Sequence, residues 1–248
     1  MSNNTPGIYA HRGDSCNYPE NTMAAFLAAR ELHCDGIEFD VHVTADGELV
    51  VVHDYDLART TSGSGLVHEA DAAYVRSLDA GSWFEKGFET ERVPLLCDVL
   101  ALEGIKFELE VKGLPTRALI EGIAREVHRM GVVERLKFTS FHLAALVQLQ
   151  QLVPGAQFGL FSPERHAWMS DHLYEQVVTE TAVGGRFDVV HIPFRHLDLF
   201  DIDRLHERGL KVQASHPETV QGLGLAAELG VDSICTDNPA VALRQLRV

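Results

Sequence analysis

Apolar positions along this chain follow two alternating rhythms. Short runs such as Ile8-Tyr9-Ala10, Gly36-Ile37-Glu38-Phe39-Asp40-Val41 and Lys106-Phe107-Glu108-Leu109-Glu110-Val111 have the length and content of buried strands. Between them lie longer stretches with helical spacing, many opened by Thr, Asn or Asp and closed by Gly. The first predicted helix runs from about Asn21 to His33, with Asn21 or Thr22 as its cap. Further helices are predicted near Leu95 to Leu102, Thr116 to Arg129, Leu143 to Leu152, Asp171 to Val183, Asp201 to Arg208, Thr219 to Leu229, and from about Ala240 to Leu246. The parallel strands begin near residues 8, 36, 106, 135, 157, 188, 210 and 232.

Eight strand-helix units in 248 residues suggest a closed (β/α)8 TIM barrel, a single domain over 1–248. An open doubly wound sheet is the alternative, but no G-x-G-x-x-G follows the first strand. Two departures interrupt the alternation. Asp46-Gly47 reads as a two-residue hairpin turn that sends the second strand out and back. With Ala45 facing Glu48, counting along both arms sets His53 opposite Asp40. From Tyr55 to about Arg92, glycines and the aromatics Tyr74, Trp83, Phe84 and Phe88 predict a small insertion lobe over one end of the barrel.

The formal charge of -15 argues against nucleic acid or an anionic membrane surface as a partner. Such a surface also repels an anionic substrate, so a phosphate site here must carry its own positive charge. Cys16, Cys34, Cys97 and Cys235 show no C-x-x-C spacing, which fits a reduced, cytoplasmic setting. The first six residues have neither a basic nor an apolar leader pattern, and no apolar run approaches membrane-spanning length.

Barrel enzymes build their sites at the C-terminal ends of the strands. Here the first strand ends in His11-Arg12, the second carries Glu38 and Asp40 with His53 alongside, and the third ends in Glu110-Val111-Lys112. Alternation sets Glu38 and Asp40 on one strand face, where two carboxylates are costly without a cation. Glu110 offers a third. Oxygen ligands without a nearby Cys favour Mg²⁺ or Ca²⁺ over Zn²⁺, with Mn²⁺ also served. Arg12 and Lys112 supply cations for phosphate oxygens, and His11 and His53 beside them suit acid-base work on a phosphodiester. A polar patch on an exposed hairpin is the plainer alternative for Glu38 to His53, and a solvated pair on an edge strand is the plainer one for Glu110 and Lys112. His33, His68, His128, His142, His172 and His206 fall on helices or loops without charged partners and read as surface residues.

An ordered series of motifs accompanies these residues: His11-Arg12-Gly13, Pro19-Glu20-Asn21-Thr22, Glu38-Phe39-Asp40-Val41, His53-Asp54, Arg59-Thr60-Thr61, Leu78-Asp79-Ala80-Gly81-Ser82-Trp83, Pro94-Leu95-Leu96, Glu110-Val111-Lys112, Ser140-Phe141 and Thr236-Asp237-Asn238-Pro239. In this the chain resembles the glycerophosphodiester phosphodiesterases of the wider phosphatidylinositol-phospholipase-C-like barrel group. The resemblance implies that Glu38, Asp40 and Glu110 hold one divalent cation. It implies that His11 and His53 are the acid/base pair and that Arg12 and Lys112 clamp the phosphate. Glu20 takes an orienting role and Asp54 fixes the His53 loop. The implied reaction is hydrolysis of a glycerophosphodiester to sn-glycerol 3-phosphate and an alcohol, through a cyclic phosphate or by direct attack of water. The lobe aromatics are expected to line the alcohol side or to pack the lobe, with packing favoured for Trp83.

One departure concerns specificity. Where this family carries an aromatic followed by Thr-Val-Asn at the end of the seventh strand, the chain has Gln213-Ala214-Ser215-His216-Pro217. A stacking surface is lost there, and Gln213 and His216 become candidate pocket residues. Glu108, two positions before Glu110, needs a partner if buried, and Lys106 is one candidate. Alternatives to the leading activity are a lysophospholipase-D-like or cyclising reaction on lipid substrates and a non-catalytic barrel that binds phosphodiesters.

Overall fold

A computed structural model describes residues 5–247. The stretch 1–4, part of the segment read above as lacking a leader pattern, and residue 248 lie outside the described residues. The elements run β1 (Gly7–His11), α1 (Met23–Glu31), β2 (Gly36–Val43), β3 (Leu49–Val51), α2 (Ala72–Ser77), α3 (Leu96–Leu100), β4 (Lys106–Val111), α4 (Arg117–Met130), β5 (Leu136–Ser140), α5 (Leu143–Leu152), β6 (Gln157–Phe161), α6 (Asp171–Gly184), β7 (Val189–Pro193), α7 (Ile202–Glu207), β8 (Lys211–Ser215), α8 (Val220–Glu228), β9 (Ser233–Thr236) and α9 (Pro239–Leu246). Eight strands pair in parallel around the sheet, and β1 pairs with both β9 and β2 to close it into a barrel.

Local chemistry accounts for the helix limits. In α4 the Thr116 hydroxyl accepts from Leu119 N, and Gly131 ends the helix at φ 66°, a left-handed conformation natural to glycine. Between these stops Leu119, Ile120, Ile123, Ala124 and Val127 share the buried face. Their spacing of three and four residues lays them against the outer wall of the barrel. At α1 the cap is Thr22, whose hydroxyl accepts from Ala25 N. Asn21 is thereby free for another task.

The antiparallel partner of β2 is β3, but the register differs from the sequence expectation. Val41 pairs with Val51, His42 with Val50 and Val43 with Leu49, and Thr44 closes on Glu48. Three residues, 45–47, make the turn. The Thr44 hydroxyl donates to Asp46 Oδ1 at 2.6 Å and accepts from Glu48 N at 3.1 Å. Gly47 takes φ 90° to close the loop. One extra turn residue moves the return arm by one position, so Val52, not His53, bonds opposite Asp40.

The lobe after β3 has its own small core, formed by Val50, Val52, Leu57, Val67, Val75, Leu78, Ala80 and Val93. Trp83 donates its indole N–H to Ala80 O, and Trp83, Phe84 and Phe88 meet edge to face in sequence. The Tyr74 hydroxyl donates to Ser64 O and accepts from Ser64 N. The lobe's aromatic rings therefore pack the lobe.

Candidate active site

The strand ends bring three buried carboxylates together. Parallel pairing of β2 with β4 sets Asp40 level with Glu110, and pairing of β1 with β2 sets His11 level with Glu38. One carboxylate oxygen from each of Glu38, Asp40 and Glu110 lies within 4.8 Å of the others. All three side chains are nearly excluded from solvent, at 3%, 1% and 6% exposure. Burial and the neighbouring Asp40 and Glu110 carboxylates push the Glu38 carboxyl well above its usual range. Burial and Asp40 push Glu110 up to about 7. Burial also works against ionised Asp40, but Lys112, Arg12 and His53 outweigh it and hold Asp40 below the usual range.

The cations stand on the outer side of this cluster. Lys112 Nζ lies 2.8 Å from Glu110 Oε1 and 3.5 Å from Asp40 Oδ1. Arg12 Nε lies 3.4 Å from Asp40 Oδ2, while Arg12 Nη1 donates to Glu20 Oε1 at 2.8 Å. Arg12 has φ 58°, a conformation costly for a residue with a side chain, and its backbone N–H donates to Glu38 Oε2 at 3.0 Å. Glycine is required next in the chain, since a Cβ on Gly13 would meet Ala25 Cβ at 2.6 Å. Glu20 also bonds to both terminal nitrogens of Arg59, whose Nε reaches Asp54 Oδ2 at 2.5 Å. Glu20 thus steadies Arg12, and Arg59 ties Glu20 to the His53 loop.

Each candidate acid/base histidine is backed by a carboxylate. His53 Nδ1 lies 2.6 Å from Asp54 Oδ1, and His11 Nδ1 lies 2.5 Å from Asp237 Oδ1. With Nδ1–H donated to a carboxylate, Nε2 is the nitrogen left to exchange a proton. Burial lowers the His53 pKa, opposed by Asp40 and Asp54. His53 keeps its place despite the altered register because His42 Nε2 donates to its carbonyl at 3.1 Å. The His42 ring in turn packs edge-on against Tyr55, whose hydroxyl bonds to the Lys112 carbonyl.

Two further residues, Asn21 and Asp237, belong to the site. Asn21 Nδ2 donates to Asp40 Oδ2 at 2.8 Å, orienting a carboxylate rather than capping a helix. Asp237 orients His11. Spacing could not reveal either contact, since 19 residues separate Asn21 from Asp40 and 226 separate His11 from Asp237.

A cavity of about 430 Å³ opens over this cluster. Opposite the carboxylates its wall includes Phe141 and Phe161, stacked at 4.6 Å between ring centroids, with the Lys112 ammonium 5.8 Å from the Phe141 ring. Among the described residues no aromatic ring of the lobe lines this cavity. This part of the pocket wall is made by the ends of β5 and β6. His216 stands on the rim, its ring edge-on to His11 at 4.5 Å.

Gln213 lies in the floor and is fully buried. Its Nε2 donates to both Glu108 oxygens, at 3.1 and 2.9 Å, and its Oε1 accepts from Lys137 Nζ at 2.6 Å and Ser233 Oγ at 2.9 Å. The partner of Glu108 is Lys137, at 2.7 Å, and not Lys106, which is exposed at the start of β4. The reason is register: β4 and β5 pair Glu108 with Lys137 directly.

A profile of the glycerophosphoryl diester phosphodiesterase family matches residues 11–241. The chain belongs to this family. It is 31% identical to a glycerophosphodiester phosphodiesterase of Caldanaerobacter subterraneus subsp. tengcongensis, over 97% of each chain. One from Bacillus altitudinis is also 31% identical, over 96% of this chain and 98% of that one. Among solved structures, the Agrobacterium tumefaciens glycerophosphodiester phosphodiesterase superposes with a TM-score of 0.81 at 27% identity, covering 96% of this chain and 99% of that one. A phosphodiesterase from Oleispira antarctica, in complex with the product sn-glycerol-3-phosphate, gives 0.79 at 28% identity over 98% of each chain. For this glycerophosphoryl diester phosphodiesterase family member the matched span includes every residue of the strand-end cluster. Among the described residues no helix is long and apolar enough to cross a membrane.

Proposed function

We propose that the chain hydrolyses glycerophosphodiesters to sn-glycerol 3-phosphate and an alcohol, using His11 and His53 as acid and base beside one divalent cation. The observation that carries this reading is the pairing of two carboxylate-backed histidines with a buried three-carboxylate cluster at one barrel mouth.

The donor set fits a hard cation. Glu38 Oε1 is buried and accepts no hydrogen bond from any described residue, an expensive arrangement unless a cation takes that lone pair. Glu38, Asp40 and Glu110 would hold the ion, Mg²⁺ or Ca²⁺ by their chemistry and Mn²⁺ by the same donors. When bound, the ion draws electron density from the phosphate and offsets its charge. Arg12 and Lys112 hold the remaining phosphate oxygens. Arg12 is kept in place by Glu20, and the phosphate's negative charge finds here the positive residues that an overall charge of -15 withholds elsewhere.

Proton transfer falls to the imidazoles. One Nε2 takes the proton of the attacking oxygen, of water directly or of the neighbouring glycerol hydroxyl with water then opening the cyclic phosphate, and the other gives a proton to the leaving alcohol oxygen as its bond to phosphorus breaks. Asp54 and Asp237 hold the two rings in the tautomer that leaves Nε2 toward the substrate. The sn-glycerol-3-phosphate held by the Oleispira relative supports the glycerol phosphate half of the substrate.

His53→Ala is expected to preserve the fold while lowering turnover of glycerophosphocholine by at least about 10²-fold, the low end for one acid/base group. Phosphorus NMR of the products checks both rate and identity. Unchanged turnover would remove His53 from the chemistry.

A further inference from the structure

A second group of metal-ligating side chains sits beside the first and uses different chemistry. One donor atom from each of His11, His216 and Asp237 lies within 4.8 Å of the others. Two imidazoles and one carboxylate form a nitrogen-rich, borderline-soft set, unlike the all-oxygen trio of Glu38, Asp40 and Glu110. The cluster is wired for a ligand of that kind. Glu218 Oε1 lies 3.4 Å from His216 Nδ1, which leaves the other ring nitrogen of His216 for coordination. A carboxylate on the far nitrogen of a ligating histidine is a common supporting contact at zinc sites. Glu218 is itself anchored, accepting from Thr236 Oγ1 at 3.2 Å.

The chain also spends conformational energy to put His216 there. Its φ is 60°, in the left-handed region, and its N–H is fixed to Cys235 O at 2.9 Å. The ring is about half exposed, so it can swing without disturbing the core. A second cavity of about 430 Å³, lined by Arg12, Ser15, Glu20, Glu218 and Asn238 among others, opens onto His11 and Asp237.

We infer that His11, His216 and Asp237 form a regulatory site for Zn²⁺ or a similar borderline divalent metal, and that occupation of this site inhibits the enzyme. Tetrahedral zinc with ligands near 2.0–2.2 Å places donor atoms roughly 3.3–3.6 Å apart. His11 and Asp237, now at 2.5 Å, have only to separate by roughly an ångström as the shared proton leaves. A metal on either ring nitrogen of His11 ends that ring's proton traffic. The inhibitory consequence rests on the acid/base role proposed for His11, whereas metal binding does not.

The test separates these two parts. Protein saturated with Mg²⁺ is titrated with Co²⁺, read by the visible absorption of a nitrogen-ligated tetrahedral ion, and with Zn²⁺ against a chromophoric chelator. Turnover is followed in parallel. Wild type is expected to bind one such ion and to lose turnover as it binds. His216→Asn is expected to weaken both binding and inhibition by at least ~10-fold, the loss of about one ligand's worth of affinity. Asp237→Asn should lose the absorption as well, confirming the second ligand. Equal Co²⁺ absorption or equal zinc sensitivity in wild type and His216→Asn would overturn the site. Binding that depends on His216 but leaves turnover intact would keep the site and reject the acid/base role of His11. Absence of binding in wild type would overturn the inference and leave the proposed hydrolysis standing.

Discussion

Strand β4 carries two buried glutamates two residues apart, and they live in opposite electrostatic worlds. Glu108, in the barrel floor, is matched by Lys137 at 2.7 Å, by two bonds from Gln213 and by His191 Nδ1 at 3.2 Å. Burial works against its ionised form, but Lys137 outweighs it, and its pKa lies below the usual value. Glu110, at the mouth, shares its space with Glu38 and Asp40, and its pKa is pushed up to about 7. In the floor the Glu108 charge has its opposite, Lys137, beside it, and the atom left without a hydrogen bond there is the neutral His191 Nε2. Three carboxylates at the mouth face two cations, and Glu38 Oε1 is left without a hydrogen bond. Matched charge marks a structural network, and a deficit of positive charge marks a place made for a ligand.

The sharpest way to break this comparison is to open the floor. Lys137→Met strands Glu108 as an uncompensated buried charge and is expected to cost about 3–5 kcal/mol of folding stability. Denaturant unfolding measures it. Adding Glu108→Gln to that variant should recover most of the loss, because an apolar or neutral pair needs no partner. A loss under about 1 kcal/mol in the single variant would mean that water reaches the floor and that the two tiers do not differ in kind.

At the mouth the expected response is to the cation. Saturating Mg²⁺ or Ca²⁺ at about 100 times its dissociation constant should add about 2.7 kcal/mol. For a chain of this size that is a rise of about 5–10 °C in Tm. A chelator should reverse the rise and stop turnover. Glu38→Gln should abolish the rise while leaving the cation-free Tm unchanged or higher, since it removes one of three mutually repelling carboxylates. A cation-independent Tm in the wild type would deny the mouth its proposed ligand.

The contrast between tiers also marks where sequence reading stops. All eight parallel strands begin within one residue of where periodicity puts them, because strand and helix periods are local properties. Helix caps at Thr116 and Thr219 are equally local. The charged residues of the mouth were legible because they cluster at strand ends, where a barrel concentrates its chemistry. The Lys137 partner of Glu108 was not, since which residues stand level on neighbouring strands is set by the stagger of the closed barrel. The hairpin register failed for a smaller reason. Asp-Gly signals a turn, but the Thr44 hydroxyl recruits a third residue into it and shifts His53 by one place.

The smallest and finest test uses pH and the buried imidazole of the floor. Burial drives the His191 pKa down from its ordinary 6.5 to about 3, only partly opposed by Glu108. The ring is therefore neutral in the folded protein across the range in which the unfolded chain takes up a proton. Its contribution to stability is fully present above pH 6.5, and it falls as pH drops from there toward 3, because the unfolded state binds the extra proton. The slope is about 1.4 kcal/mol per pH unit once below the unfolded value. Mouth carboxylates also titrate in this range, so the measurement is a difference: urea unfolding of wild type and His191→Asn at pH 7.5, 6.5, 5.5 and 5.0. The variant is expected to be less stable at pH 7.5, for loss of the Glu108 contact, and to close part of that gap as the pH falls. A gap independent of pH would mean that His191 titrates in the folded floor as it does in the unfolded chain, and a gap that widens as the pH falls would mean that it is held there as a cation beside Glu108.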